Sequence, residues 1–312
     1  MRVSALLLFS LWAGMAYANA ELGAAIEDVR AKCGGIGDEL ADMKKMAGVT
    51  TAVTGAGTVA GGVALGTGIA KANVDKKIVE QEKLIKSLDD AGFIRVTSLD
   101  MFYKTYAQAL ENTGTVQGMQ YAQQLKLKKS ELEDKSKNLG NWRTGTLAAA
   151  TATNIAGAIM SGTNRIKGDL KTQIDECLMS VKTLANVRMQ ARIDGSATDV
   201  ELARAENIVR ACDAWTTVDI SSVNKRSTGA TVSSGVGAGL GLAGTITSAS
   251  ANSDGVRQGD DEQKEKNLNT AANVLAGGTT AAGLTATIFN ATQISAIKRA
   301  AIVADECEGA LR

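Results

Sequence analysis

Four long stretches without any charged residue dominate the pattern of polar and apolar positions along the chain. They run from Met46 to Ala70, Thr144 to Asn164, Ser227 to Ser253 and Asn267 to Ile297. A surface helix normally keeps charged side chains toward water, so a helix without charge on any side is buried all round or lies in a membrane. The pattern predicts four helices that meet little water.

The order of features along the chain occurs twice. Each copy contains a cysteine, an uncharged segment, a tip, a second uncharged segment and a closing cysteine. Short sequences return in register, since Lys-Asn-Leu at 137–139 matches 266–268 and Asp-Glu-Cys at 175–177 matches 305–307. A tip between two helical segments is typical of an antiparallel helical hairpin.

We therefore predict an all-α fold of two duplicated antiparallel helical hairpins with Gly/Ala-rich helices. The first repeat covers 21–192 and the second covers 193–312. The first hairpin carries an α-helical tip insertion at 71–143, whereas the second has a short, charged tip. Two shorter helices are predicted around the turn signal at 194–196, the second starting with a capping box formed by Thr198 and Glu201.

Small residues recur at every fourth position of the uncharged segments. Residues four apart share a helix face, so each run predicts a flat ridge on which another helix can pack closely. We describe this as a glycine-zipper-like pattern. The predicted helix-packing residues are Gly48, Ala52, Ala56, Ala60, Ala64, Gly68, Gly145, Ala149, Gly157, Gly229, Gly237, Gly241, Gly278 and Ala282.

Four cysteines form an even set, which in an exported chain indicates disulfides. Cys33 lies 25 residues before the middle of the first uncharged segment, and Cys177 lies 23 residues after the middle of the second. They therefore reach similar heights below the hairpin at 1.5 Å per residue. The same comparison pairs Cys212 with Cys307. A rival pairing of Cys177 with Cys212, on either side of the turn at 194–196, stays open.

The first twenty residues have the pattern of a secretory signal peptide. Arg2 precedes an apolar run, and Ala18-Asn19-Ala20 forms a small-residue cleavage site. The apolar run is too short to span a bilayer, which takes about 20 residues. This pattern predicts an exported protein, either secreted or located in the cell envelope, in the periplasm or at the outer membrane.

Composition narrows the function classes. The chain lacks proline, which favours long helices, and it lacks histidine, the commonest metal ligand and general base. A net charge of +1 without a basic block gives nucleic-acid binding little support. Gly239, Gly241 and Gly244 match the dinucleotide glycine pattern, but in a helical context instead of after a strand. We expect no enzyme activity, cofactor, metal or small-molecule substrate.

The segments are only weakly hydrophobic, because few of their residues are Leu, Ile, Phe or Val. Basic residues cluster at the ends of the segments that lie nearest the cysteines. The positive-inside rule would place these ends in the cytoplasm, whereas the predicted disulfides would place them outside it. Segments that are too weakly hydrophobic to be retained in the inner membrane during export could insert into a membrane later as paired hairpins. This interpretation predicts a structural scaffold or a pore that associates with a membrane and forms a homo-oligomer.

The alternative is a soluble periplasmic or secreted helical module, whose small-residue faces pack within one chain or a dimer. Such a module could bind a protein partner through its tip insertion, which carries most of the aromatic residues of the mature chain. Aromatic residues are usually core, although exposed ones form recognition surfaces. The candidate partner-binding residues are Phe93, Phe102, Tyr103, Tyr106 and Tyr121.

Overall fold

The computed structural model describes residues 20–90, 113–253, 256 and 262–312. All regular structure within these ranges is helical, and the long helices pack as antiparallel hairpins. The predicted all-α hairpin fold is therefore confirmed. The predicted signal peptide lies outside the described residues, except for Ala20.

The helices follow the uncharged segments and extend well beyond them. Helix α1 covers residues 20–33. The others are α2 (Ile36–Asp90), α3 (Thr113–Thr163), α4 (Gly168–Asp194), α5 (Asp199–Asp213), α6 (Ile220–Ala251) and α7 (Glu262–Leu311), with a 3-10 turn at Ala214–Thr217 after α5. The described parts of the tip insertion continue α2 and lead into α3, and residues 91–112 of the insertion lie outside the described residues.

Local signals set the ends of the shorter helices. Gly195 ends α4 with φ of 62° and donates its amide to Ala191 O, as a left-handed C-cap requires. The Thr198 hydroxyl oxygen caps α5 by accepting a hydrogen bond from the Glu201 amide, and the Glu201 carboxylate accepts one from the Thr198 amide. The predicted turn and capping box are both confirmed. Gly35, with φ of 83°, separates α1 from α2.

The described residues form two compact units. Unit 1 contains those of Met1–Gly55, Ile155–Ser234 and Leu284–Arg312, and unit 2 contains those of Ala56–Asn154 and Gly235–Gly283. Each of the four long helices contributes residues to both units. The units therefore do not follow the boundary between the two repeats, and the duplication stays an interpretation of the sequence.

Unit 1 contains a core of large aliphatic side chains with the cysteines inside it. Cys33 is bonded to Cys177 and Cys212 to Cys307, with Cα atoms 4.8 and 4.5 Å apart. This is the pairing that the repeat favoured, and the rival bond between Cys177 and Cys212 does not form. The surrounding core includes Leu22, Ile26, Val29, Ile36, Leu40, Ile174, Leu184, Ile208, Trp215 and Ile297.

Unit 2 shows the antiparallel packing of the hairpins directly. From α2 to α3, Asp75 accepts a hydrogen bond from Ser136, and Glu82 pairs with Lys129 at 2.8 Å. Residue numbers rise along α2 as those of their partners fall along α3. The side-chain hydrogen bond to Glu82 is the main reason that the pKa of Lys129 is raised.

Opening one disulfide should weaken the fold strongly. The double substitution Cys33→Ser with Cys177→Ser opens a loop whose ends are 144 residues apart in the sequence. Loss of such a bond typically lowers the free energy of unfolding by about 2–5 kcal/mol. Urea unfolding followed by circular dichroism measures the change. Cys212→Ser with Cys307→Ser is the matched comparison, with a separation of 95 residues. A bridged peptide containing Cys177 and Cys212 in non-reducing mass spectrometry would contradict the structure.

Candidate functional site

Burial along the uncharged segments alternates between steps of three and four residues. This is the heptad spacing that keeps one seam of a helix against its neighbours. In α2 the seam contains Thr50, Thr54, Gly57, Gly61, Ala64 and Gly68, and in α7 it contains Ala272, Ala276, Thr279, Gly283, Ala286, Asn290 and Gln293. The helices thus face one another through small and polar residues.

The ridge of every fourth residue is not this buried seam. Four residues turn an α-helix through slightly more than a full circle, so such a ridge drifts by about 200° over five steps. Gly48, Ala52, Ala56, Gly145 and Ala149 accordingly lie on the exposed side. Of the other predicted packing residues, Ala64, Gly68, Gly157, Gly237 and Gly241 are buried, whereas Ala60, Gly229, Gly278 and Ala282 are half-buried.

Glycines in unit 2 make room for one buried amide. Asn154, on α3, is fully buried, and neither of its side-chain polar atoms has a hydrogen-bond partner among the described residues. A Cβ atom added at Gly237 would lie 2.8 Å from Asn154 Nδ2, and one at Gly57 would lie 3.4 Å from Asn154 Oδ1. One at Gly283 would lie 3.6 Å from the same oxygen. Glycine on three helices therefore surrounds Asn154.

Polar side chains also fill the seams of unit 1. Ser161 Oγ donates to Asn290 Oδ1 at 3.1 Å, and Asn290 Nδ2 donates to Thr54 Oγ1 at 3.4 Å. Gln293 Nε2 donates to the backbone oxygen of Asn164 at 2.6 Å. All five residues are buried. The interior of this part of the unit is consequently held together by hydrogen bonds as well as by close packing.

A charge network lies in unit 2 where the uncharged segments end on the tip side. Lys71, which is fully buried, contacts Asp75 at 2.8 Å and Glu265 at 3.1 Å. Arg143, also fully buried, donates to three neutral side chains, namely Ser248, Asn269 and Asn273. Desolvation lowers the pKa of Arg143, while Asp75 and Glu265 act in the opposite direction. Two cations and two carboxylates balance one another.

The outer faces of the same segments are apolar. Their exposed large side chains are Met46, Val49, Val59, Val63, Ile69, Ile155, Ile159, Val232, Val236, Leu242, Ile246, Val274, Leu284 and Ile288. Glycine, alanine and a few hydroxyl residues fill most of the remaining exposed positions. The segments therefore meet one another mainly through small and polar residues and carry most of their large apolar residues on the outside, the reverse of the usual pattern in a water-soluble bundle.

One helical stretch has the length and composition of a membrane span among the described residues. Residues 20–90 include an 18-residue window with a mean hydropathy of 1.3, of which 28% is buried. By itself such a helix does not identify a membrane protein, because core helices of soluble proteins pass the same test. Those core helices are mostly buried, whereas 28% of this window is buried.

The cysteines and the dinucleotide-like glycines take part in disulfides and in helix packing, respectively. Three cysteine sulfurs, of Cys33, Cys177 and Cys307, lie within 4.8 Å of one another, but all belong to disulfides. The dinucleotide-like glycines lie inside α6, where Gly241 approaches Thr151 and Gly244 approaches Leu275. Of the proposed partner-binding aromatics, Tyr121 is half exposed. The other four, Phe93, Phe102, Tyr103 and Tyr106, lie outside the described residues.

Sequence reasoning missed the polar seam and the charge network. A signal for the network was present, because Lys71 and Arg143 directly follow or precede uncharged segments. A heptad count of Ser, Thr and Asn could have found the seam. Comparisons with protein-family models, with curated proteins and with solved structures found no match for this chain.

Two glycines on α6 provide a matched test of the packing around Asn154. Gly237→Ala should lower the free energy of unfolding by about 1–3 kcal/mol, because the added methyl group meets Asn154 and Ala282. At Gly239, an added Cβ atom would meet nothing within 4 Å except its own helix backbone. Gly239→Ala should therefore raise the free energy of unfolding by up to about 1 kcal/mol through helix propensity. Urea unfolding measures both. Adding Asn154→Ala should recover part of the Gly237→Ala loss, and equal stabilisation by both single substitutions would contradict this packing.

The balance of the charge network can be tested with Glu265→Gln. This change leaves Lys71 and Arg143 facing Asp75 alone, so the free energy of unfolding should fall by about 1–3 kcal/mol. Glu80→Gln, on the exposed side of α2, is the control and should change stability by less than about 0.5 kcal/mol. Equal effects in thermal unfolding would show that the network does not stabilise unit 2.

Proposed function

We propose that this chain is an exported, non-enzymatic envelope protein whose uncharged segments contact the apolar interior of a membrane. In this proposal it acts as a structural scaffold that self-assembles through glycine-rich helix faces. The observation that carries the proposal is the inverted polarity of the segments, which bury mainly Gly, Ala, Asn, Ser and Thr and expose most of their Val, Leu and Ile side chains.

The two possible solvents make opposite demands on such helices. In water, each exposed Val, Leu or Ile forgoes about 1.5–3 kcal/mol of burial energy, and buried polar groups cost free energy unless they are paired. In a bilayer, outward apolar side chains match the acyl chains, and polar side chains must turn toward neighbouring helices. The hydrogen bonds of Ser161, Asn290 and Thr54 point inward, as the second environment requires.

The length of one segment also supports a membrane environment. The segment from Thr144 to Asn164 has 21 residues, which gives about 31 Å of helix, close to the roughly 30 Å of a hydrocarbon core. Trp142 lies just before this segment and is two-thirds exposed, at 67%. Exposed tryptophan is enriched at the membrane interface, where its ring bridges apolar and polar surroundings.

Exposed glycines supply surfaces for self-assembly. Four glycines lie on outer faces, namely Gly48, Gly62, Gly66 and Gly235. A Cβ atom added at any of them would meet nothing within 4 Å except its own helix backbone. Bare helix backbone of this kind allows a helix of a second copy to approach closely in a membrane. In unit 2, Leu147 packs against Ala64 and Ala276 in the interior. This filling favours a scaffold over a pore through a single chain.

The disulfides support the export component of the proposal. Disulfides persist in oxidising compartments such as the periplasm or the extracellular space and are rare in the cytosol. Both bonds lie in the aliphatic core of unit 1, which resembles the core of a soluble protein. In this proposal the disulfide-bonded core of unit 1 stays in water.

The first experiment is alkaline extraction of membranes from cells that make the full chain. The wild type should stay with the membrane pellet. The double variant Ile155→Asp with Leu242→Asp should be released, because a carboxylate at a helix centre opposes insertion by about 2.5–3.5 kcal/mol per residue. Ile193→Asp with Val200→Asp, at exposed positions of α4 and α5, is the matched control and should be retained.

Helicity by circular dichroism must remain unchanged in both variants. Release of the wild type by the alkaline wash would overturn the membrane proposal. The soluble alternative, with the tip insertion as its binding surface, would then become the favoured function.

A further inference from the structure

Basic side chains mark the cysteine-side ends of all four uncharged segments. On α2, Lys44 and Lys45 immediately precede the first segment. Arg165 and Lys167 follow the second segment in the connection between α3 and α4. All four side chains are exposed and belong to unit 1. The other two segments end in the same way.

On α6, Lys225 and Arg226 immediately precede the third segment, and on α7 Lys298 and Arg299 follow the fourth. These residues also belong to unit 1, and only Arg226 is half-buried. Arg226 Nη1 donates to the backbone oxygen of Thr292. We refer to the basic residues at these four segment ends together as the basic belt.

Hydrogen bonds within unit 1 place parts of the belt side by side. Asn224 Oδ1 accepts from the Ile166 amide at 2.9 Å, and Asn224 Nδ2 donates to Ile166 O at 3.2 Å. Ile166 lies between Arg165 and Lys167, and Asn224 precedes Lys225, so these side chains start at the same level. Gln293 on α7 donates to Asn164 O and joins the fourth helix close to this level.

Carboxylates balance little of the belt. Asp42 pairs with Lys45 at 3.0 Å, and both side chains are highly exposed, so the pair contributes little. It is the only ion pair of the belt among the described residues. Asp219, just before α6, interacts electrostatically with Lys225 and accepts hydrogen bonds from Ser221 Oγ at 2.7 Å and from the Ser222 amide at 3.1 Å, so two carboxylates offset part of the charge of the eight basic side chains. The belt therefore retains an excess of positive charge.

The two ends of the uncharged segments differ in how they hold charge. On the tip side, Lys71 and Arg143 turn inward and are matched by Asp75 and Glu265. On the cysteine side, seven of the eight cations are exposed and follow or precede the ends of the uncharged segments. Lysine and arginine at such a boundary rest their alkyl stems on apolar surface while their charged ends reach the polar layer.

We propose that the basic belt binds the phosphate groups of anionic phospholipids in the leaflet on the disulfide side. This inference rests on the proposed membrane function and specifies the lipid that the protein selects. Clusters of basic residues beside a membrane-contacting helix are attracted to anionic headgroups, and salt screens the attraction. The belt then fixes the depth of the bundle by holding its cysteine-side ends at the headgroups.

Flotation of the full chain with vesicles tests the inference. One set of vesicles contains phosphatidylcholine alone, and a second set contains phosphatidylcholine with phosphatidylglycerol. The wild type should float with both but bind the anionic set about tenfold more tightly at low salt. A belt variant with Lys44→Gln, Lys45→Gln, Lys298→Gln and Arg299→Gln should still float and should lose this preference.

The matched control removes the same charge from the tip side of α2, with Lys76→Gln, Lys77→Gln, Lys83→Gln and Lys86→Gln. All four lysines are exposed, and the control should keep the anionic preference. Equal binding of the wild type to both vesicle sets, or equal loss in the control, would overturn the inference and leave the membrane function standing. Absence of flotation with either set would overturn both proposals.

Discussion

Close approach between helices is the constraint on which the rest of this structure depends. Gly57, Gly61, Gly237, Gly241 and Gly283 leave no room for larger side chains where their helices meet, since a Cβ atom at most of these sites would clash. The seams therefore contain mostly small or polar residues, and Leu147 in unit 2 is one of the few large apolar side chains among them. Most of the large apolar residues of the same segments consequently lie on the outer faces. Inverted polarity is thus a geometric result of close packing.

A seam of small residues has a second consequence, which concerns register. A shift by one heptad places one small residue where another had been, so glycine and alanine alone specify alignment poorly. Buried polar residues specify it better, at a cost in stability. Asn154 needs glycine on three helices, and a heptad shift of α2 would bring Ala64 or Thr50 to the place of Gly57. The alignment of Lys71 with Glu265 adds a second restraint.

The sequence predicted those features that depend on one segment or on chain distance. Lack of charge located the long helices, and counting from segment midpoints favoured the cysteine pairs that the structure contains. The inward face was harder to predict. A four-residue ridge and a heptad seam share some positions, such as Ala64 and Gly68, and diverge a few turns away at Gly48. Only the neighbouring helices decide between them, because both patterns describe close helix contact.

The weak hydrophobicity of single segments is compatible with insertion of the whole hairpin. In α3, Ala148, Ala149 and Ala152 lie outward beside Ile155, so one helix alone offers little to acyl chains. Four helices that hide Asn154, Ser161, Asn290 and their other polar residues from lipid present a more apolar surface together than any presents alone. One disulfide closes each repeat, Cys33 with Cys177 in the first and Cys212 with Cys307 in the second. The proposed membrane association therefore depends on the apolar surface of the assembled helices. A mean hydropathy calculated for a single helix underestimates how apolar that surface is.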